Sequence, residues 1–154
     1  MSSDEVSRRT MVGVGLAGAA VLAESQTASA AVGGRNEMVV RAWYRTWVES
    51  KDWNEADALT TDDFNFTSPN NDDHISKAVF KKRCWDTQIG FIKAFEPELV
   101  LAHGDDVLVK YTCHTMNGKS FQNVEWFRLR DHKIASLQCF FGGNMTFPSS
   151  VSAQ

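Results

Sequence analysis

An α+β fold, with helices covering one face of an antiparallel sheet, is predicted by three observations. Apolar residues recur at helical spacing early in the chain, and short β-type segments follow at close intervals from Pro97 onward. Asn117-Gly118 lies between two of those segments as a hairpin turn. Helices first and hairpin-linked strands after is the order expected when helices are segregated to one side of a sheet.

The first helix is read over Asn36 to Ser50, where Val39, Val40, Trp43, Tyr44, Trp47 and Val48 form an apolar stripe and Arg41, Arg45 and Glu49 fall between them. Tyr44 lies on the buried stripe. Asp52 and Glu55 have capping-box spacing and open a short second helix through Leu59. Phe64 to Thr67 reads as a strand stopped by Ser68-Pro69-Asn70-Asn71. A third helix begins with Ser76 as N-cap, runs to about Thr87 and is expected to bury Val79, Phe80 and Cys84. Four β-segments close the domain: Pro97 to His103, Val107 to Met116, Phe121 to Leu129 and Ile134 to Phe141.

Ahead of this domain, Ser7-Arg8-Arg9-Thr10-Met11-Val12 precedes an apolar Gly/Ala-rich run to Ala23 and then Ala28-Ser29-Ala30. A charged region, a short apolar segment and a small-residue cleavage site are the parts of an export signal, and the arginine pair points to the twin-arginine route. The expected organisation is a signal peptide over residues 1–30, a domain over 31–143 and a loose Ser-rich tail over 144–154. The protein is accordingly expected to be secreted or periplasmic, with no stable membrane anchor after cleavage.

A net charge of −3 with scattered basic residues argues against nucleic acid as a partner. Cys84, Cys113 and Cys139 lack metal-ligand spacing and read as buried small hydrophobes, with a disulfide between two of them as the alternative. No CxxC, paired-His helix or glycine-rich phosphate loop is present, so neither a cofactor nor a metal is expected. Asp72-Asp73-His74 reads as turn and capping chemistry.

A two-residue Asn117-Gly118 turn would pair His114 with Phe121, Thr112 with Asn123 and Lys110 with Glu125. One face then carries Leu108, Lys110, Thr112, His114, Phe121, Asn123, Glu125 and Phe127, and the other Val109, Tyr111, Cys113, Val124 and Trp126. Two readings stay open. The mixed face can lie in water with Lys110 and Glu125 as an exposed ion pair. Alternatively it lines a helix-capped cavity ringed by Phe121, Phe127 and Leu108, and a second subunit covers the apolar face.

Lys51-Asp52-Trp53, Asp62-Asp63-Phe64, Phe66-Thr67-Ser68-Pro69, Asp72-Asp73-His74-Ile75, Arg83-Cys84-Trp85, Asn123-Val124-Glu125 and Phe140-Phe141-Gly142 together resemble the SnoaL-like branch of the nuclear transport factor two-like, ketosteroid isomerase-like superfamily. The resemblance covers Val39 to Gly142. It implies a cone-shaped curved antiparallel sheet with three helices on its concave face, a cone that serves isomerases, cyclases, hydrolases and non-catalytic binders alike.

On the ketosteroid isomerase pattern, Tyr44 falls at the oxyanion-hole tyrosine and Glu125 at the protonated oxyanion-hole acid. The general-base position is Ser68, and serine cannot abstract a proton unaided. His114 is therefore the expected proton shuttle, with Asp72, Asp73 and His74 as further candidates at the pocket rim. Tyr44, His114 and Glu125 are the expected catalytic groups, and Lys110, Asn123, Asp73, His74, Phe121 and Phe127 the expected substrate-binding ones. The expected activity is cofactor-independent acid–base chemistry on a small, apolar, carbonyl-bearing compound by a homodimer; the alternative is a secreted ligand-binding or interaction module. For the last strand, a two-residue Asp131-His132 turn would turn Gln138 and Phe140 toward the Glu125 face, whereas a bulge, favoured by the family pattern, would turn Leu137, Cys139 and Phe141 there.

Overall fold

The computed structural model describes residues 15–142, with side chains from residue 30 onward. The Arg8-Arg9 segment and the 144–154 tail lie outside the described residues, and the Ala30-Ala31 junction falls within the first helix. That helix, α1 (Gly15–Arg45), continues through a π-helical turn at Thr46–Ser50. Next come α2 (Trp53–Ala58), β1 (Thr60–Ser68), β2 (Asp72–Ser76) and α3 (Lys77–Phe80), the last continuing through a π-helical stretch (Lys81–Trp85) into a final turn. The chain ends in β3 (Ile92–His103), β4 (Asp106–Thr115), β5 (Ser120–Arg130) and β6 (Lys133–Gly142). No described helix is long and apolar enough to cross a membrane.

The α+β architecture is as expected: the strands form one curved, open six-stranded sheet in the order β2-β1-β6-β5-β4-β3. It is mixed rather than purely antiparallel, because β1 runs parallel to β6. Asp52 caps α2 by accepting from the Asn54 N–H at 2.8 Å, an interaction worth about 1 kcal/mol. Ser76 occupies the N-cap of α3, but its hydroxyl makes no capping bond. Phe80 and Cys84 are buried as expected, whereas Val79 is exposed.

The strand before Pro97 was not expected. Proline donates no ladder hydrogen bond, yet β3 is an edge strand and its pairing with β4 skips a residue between Pro97 and Leu99. Glu98 is the residue left over, and such a bulge bends an edge strand and helps to curl the sheet.

The interior on the helix side is aromatic. Trp43, Trp47, Phe64, Phe80 and Trp85 are all buried, and the Trp47 and Trp85 rings lie 4.4 Å apart. Asn36 is fully buried too. Its side chain donates to the Gly104 carbonyl at 2.9 Å and accepts from His132 Nδ1 at 2.8 Å, tying α1 to the β3–β4 and β5–β6 turns.

One loop sets the composition of both sheet faces. The β4–β5 connection holds three residues between the paired Thr115 and Lys119, with the Gly118 N–H donating to Thr115 O at 3.1 Å and the Thr115 N–H to Lys119 O at 2.9 Å. Gly118 has φ of 80°, the left-handed residue that closes a three-residue hairpin loop. A two-residue turn would have paired His114 with Phe121; instead Cys113 opposes Phe121, Tyr111 opposes Asn123 and Val109 opposes Glu125. A one-residue shift moves every side chain of a strand to the other face.

At the β5–β6 end, Asp131 and His132 take φ of 52° and 57°, and a register break after Arg128 aligns Glu125 with Cys139 and Asn123 with Phe141. The bulged alternative is therefore the one adopted.

An added Cβ at Gly118 meets nothing within 4 Å, so the cost of substitution there is backbone strain alone. Gly118→Ala is expected to lower stability by about 1–2 kcal/mol and Gly118→Asn by less, since asparagine tolerates the left-handed region. Urea unfolding midpoints at unchanged m-value measure the difference.

Candidate functional site

The helices cover the sheet face that carries Val107, Val109, Tyr111 and Cys113 from β4 and Asn123, Glu125 and Phe127 from β5. Between this face and the helices lies a cavity of about 150 Å³. Trp43, Trp47, Phe66 and Phe80 supply apolar wall, and Phe121 and Phe141, each partly exposed, stand at the open side.

Glu125 occupies the buried end and is 9% exposed. The Tyr44 hydroxyl donates to its Oε2 at 2.6 Å and the Tyr111 hydroxyl donates to its Oε1 at 2.9 Å. Asn123 Nδ2 donates in turn to the Tyr111 oxygen at 3.1 Å. Aromatic edges hold the tyrosines in place: Phe95 contacts both rings, and Phe127, fully buried, packs edge-on against Tyr44.

Burial drives the Glu125 carboxyl above its ordinary value, against the opposing effect of the two tyrosine hydrogen bonds. Burial first and the neighbouring Glu125 second push both tyrosines well above the usual phenol range. The three cysteines are free and buried. Burial raises Cys84 and Cys113 to about 11, and it raises Cys139, beside Glu125, as well. At neutral pH these thiols are protonated and poorly suited to nucleophilic attack.

A second polar group lies in the same cavity wall. Asp72 is 5% exposed; its Oδ2 accepts from Ser68 Oγ at 2.8 Å, and its Oδ1 lies 2.8 Å from Arg83 Nη2. That approach is not aligned as a hydrogen bond, so Oδ1 is compensated by charge proximity and lacks a hydrogen-bond donor. The β1–β2 hairpin explains the inward turn. Ser68 pairs with Asp72 and Phe66 with Ile75, so Asp73 and His74 stand against the single residue Thr67 as a bulge, His74 at φ of 49°. Asp73 and His74 consequently point to solvent and pair with each other at 2.5 Å.

The structure thus brings Tyr44, Glu125, Asn123 and Phe121 together, with Phe127 behind Tyr44 rather than in the cavity wall. It excludes others. His114 is 42% exposed on the opposite sheet face, where its Nε2 lies 3.0 Å from Glu96 Oε2. Lys110 is on that same face, paired with Glu98 at 2.5 Å rather than with Glu125. Leu108 opposes Trp126 there and does not ring the cavity. Asp73 and His74 lie outside as well. The physical reason for the first three is the extra loop residue before Lys119; for the last two it is the bulge in β2.

Tyr111 is the cavity side chain on Glu125 that sequence reasoning missed. The signal was present in the alternation of Val107, Val109, Tyr111 and Cys113, a uniformly apolar face of the kind that ordinarily turns toward covering helices.

Because the folded value of Glu125 lies above its ordinary 4.5, the native state binds more protons than the unfolded chain between those two values. Its contribution to stability is full below the unfolded value and is lost as pH rises through the folded one. Urea titrations across pH are expected to show that decline, and Glu125→Gln, which cannot titrate, is expected to flatten it.

A family model, described as SnoaL-like domain, matches residues 40–137. No curated protein sequence matches the chain. Among solved structures, one described as a putative ketosteroid isomerase from Kribbella flavida superposes with a TM-score of 0.63 at 16% identity, covering 77% of this chain and 85% of that one. An LEH-like epoxide hydrolase from M. tuberculosis gives 0.58 at 17% identity, covering 71% and 84%. A de novo designed protein with a curved β-sheet gives 0.60 at 19% identity, covering 70% and 85%. Likeness at these identities is one of fold, and the fold's members include isomerases and hydrolases. With the family model spanning most of the domain and the same curved sheet under the same helices, the chain belongs to the SnoaL-like domain family.

Proposed function

We propose that this protein is an exported, cofactor-independent acid–base enzyme acting on a small, mostly apolar carbonyl compound. The observation that carries this reading is a carboxyl group buried in an apolar cavity with a tyrosine hydroxyl on each of its oxygens. The proton count then matters. With Glu125 ionised, both phenolic protons are spent on its two oxygens and none is left for a ligand. With Glu125 neutral, the same three groups hold one proton more, and one O–H is free to turn toward the cavity. Burial favours the neutral form.

A donor held in a low-dielectric site acts on an oxygen that gains negative charge in the transition state, and such a donor is worth about 10²–10³ in rate. A cavity of about 150 Å³ is of the size that accepts one six-membered ring, so the reacting part of the ligand is small. Ser68, where a carboxylate would serve as base, supports a second reading in which the cavity binds its ligand without turnover.

Export rests on Arg8-Arg9 and Ala28-Ser29-Ala30. Homodimerisation rests on the convex sheet face, where Leu99 and Leu101 on β3, Trp126 on β5 and Phe140 on β6 are exposed. The expected second-subunit surface therefore differs from the one inferred from sequence, because Val109, Tyr111 and Cys113 are covered by the helices.

In D2O, the protein is expected to accelerate deuterium exchange at the carbons next to the carbonyl of cyclohexanone, followed by NMR. Glu125→Ala is expected to lose about 10²-fold of that rate. Phenol, an oxygen ligand of one ring, is expected to bind with affinity that falls as pH rises through the Glu125 titration, and Glu125→Gln to remove the dependence. Phenol binding without cyclohexanone exchange would favour the non-catalytic reading. Replacing Arg8 and Arg9 by lysine is expected to retain the protein in the cell; undiminished export would exclude the twin-arginine route.

A further inference from the structure

We propose that Asn123 is a positioning residue that fixes the direction of the hydrogen bonds reaching Glu125, so that Tyr44 is the hydroxyl left to donate to a ligand. The inference rests on the acid–base reading above and names the group that meets the ligand's oxygen. Its starting point is a backbone amide, because an N–H donates and never accepts. The Gly142 N–H, on β6 beside the residue that opposes Asn123, donates to Asn123 Oδ1 at 3.4 Å. That contact fixes which way the side-chain amide lies. Asn123 Nδ2 is thereby turned to the Tyr111 oxygen, to which it donates at 3.1 Å, and to the Cys139 sulfur, a weak acceptor, at 3.5 Å.

The direction is passed on from there. Tyr111 stands opposite Asn123 across β4 and β5, and a phenolic oxygen conjugated with its ring has one good lone pair in the ring plane. With that lone pair taken by the amide, Tyr111 does not accept from Glu125 and instead donates to it, as it does to Oε1 at 2.9 Å. Tyr44 is under no such constraint. Its hydroxyl lies 2.6 Å from Oε2, and among the described residues none donates to its oxygen.

When Glu125 carries a proton, that proton therefore sits on Oε2 and is donated to the Tyr44 oxygen. The Tyr44 O–H is released from Glu125 and turns to the cavity that Tyr44 lines. Other titratable neighbours do not compete for this role. Cys113 on β4 and Cys139 on β6 keep their protons and are weak donors, and Asp72 and Arg83 are engaged with each other elsewhere in the wall. Tyr111 touches Glu125 as Tyr44 does, yet takes no part in bonding the ligand. The ligand accordingly brings an uncharged acceptor oxygen to Tyr44.

The test uses cyclohexanone, an acceptor without donors, against cyclohexane, which has the same ring and no oxygen. Tyr44 and Tyr111 are the two tyrosines of the chain, so protein isotope-labelled at the tyrosine Cζ carbons gives two NMR signals, assigned by Tyr44→Phe or Tyr111→Phe. Below the Glu125 titration, cyclohexanone is expected to shift the Tyr44 signal beyond its position with cyclohexane and to leave the Tyr111 signal there. In Asn123→Leu, which keeps the branched shape without donor or acceptor, Tyr111 regains its lone pair and both signals are expected to respond. If that variant does not fold, Asn123→Ala is expected to show the same change. A response of both tyrosines in the unsubstituted protein, or of Tyr111 alone, would overturn the proposal and leave the acid–base reading standing. So would a pattern in the Asn123 variant unchanged from that of the unsubstituted protein. No response of either tyrosine would remove the donor, and with it both the acid–base reading and this inference.

Discussion

Gly118, held at φ of 80°, closes the β4–β5 loop at three residues, and what these strands present to the cavity follows from that count. With this register, Tyr111 stands opposite Asn123 and Val109 opposite Glu125, so the polar and aromatic groups of both strands meet under the helices. Lys110 and His114 are thereby placed on the convex face, where Glu98 and Glu96 pair with them in water. Had the loop been one residue shorter, the cavity would have contained a lysine and a histidine in place of a tyrosine and a cysteine. Glu125 would then have faced a lysine and a histidine across the strand pair rather than a tyrosine hydroxyl.

The cost of this arrangement is a carboxyl group kept away from water. An isolated ionised carboxylate in such a place would be severely destabilising, and the usual response is neutralisation. Here two tyrosine hydroxyls and burial act in opposite directions on Glu125, and burial prevails. The hydroxyls contribute hydrogen bonds that compensate desolvation, while the aromatic edges of Phe95 and Phe127 restrict where the rings can go. Polar groups fixed by packing need little reorganisation when charge develops on a ligand, which is the basis of electrostatic preorganisation.

The other polar end is built differently. Asp72 reaches the interior because β2 carries one extra residue relative to β1, Asp73 and His74 standing against Thr67, and His74 adopts positive φ within that bulge. Arg83 meets it from the π-helical stretch that also brings Cys84 and Trp85 to the core. π-helical turns are frequent at functional sites, and here one element serves packing and charge pairing at once.

Much of the architecture was legible in the chain. The stripe of Val40, Trp43, Tyr44 and Trp47, the Asp52 cap and the alternation along the late strands are local signals, because periodicity and capping depend on neighbours within a turn or a strand. They placed Tyr44 inward and left an inward Glu125 as one of two open readings. The registers were not legible, since a loop of two or three residues and a bulge after Arg128 or before Ile75 leave almost no mark on composition. Strand β2 was read as a turn for the same reason, its few residues carrying no alternation of their own. Which of Tyr111 and His114 faces the cavity, and whether Asp72 or Asp73 does, was decided only by the tertiary structure. Side-chain direction in a strand inverts with each residue, so a single inserted position reassigns a whole face.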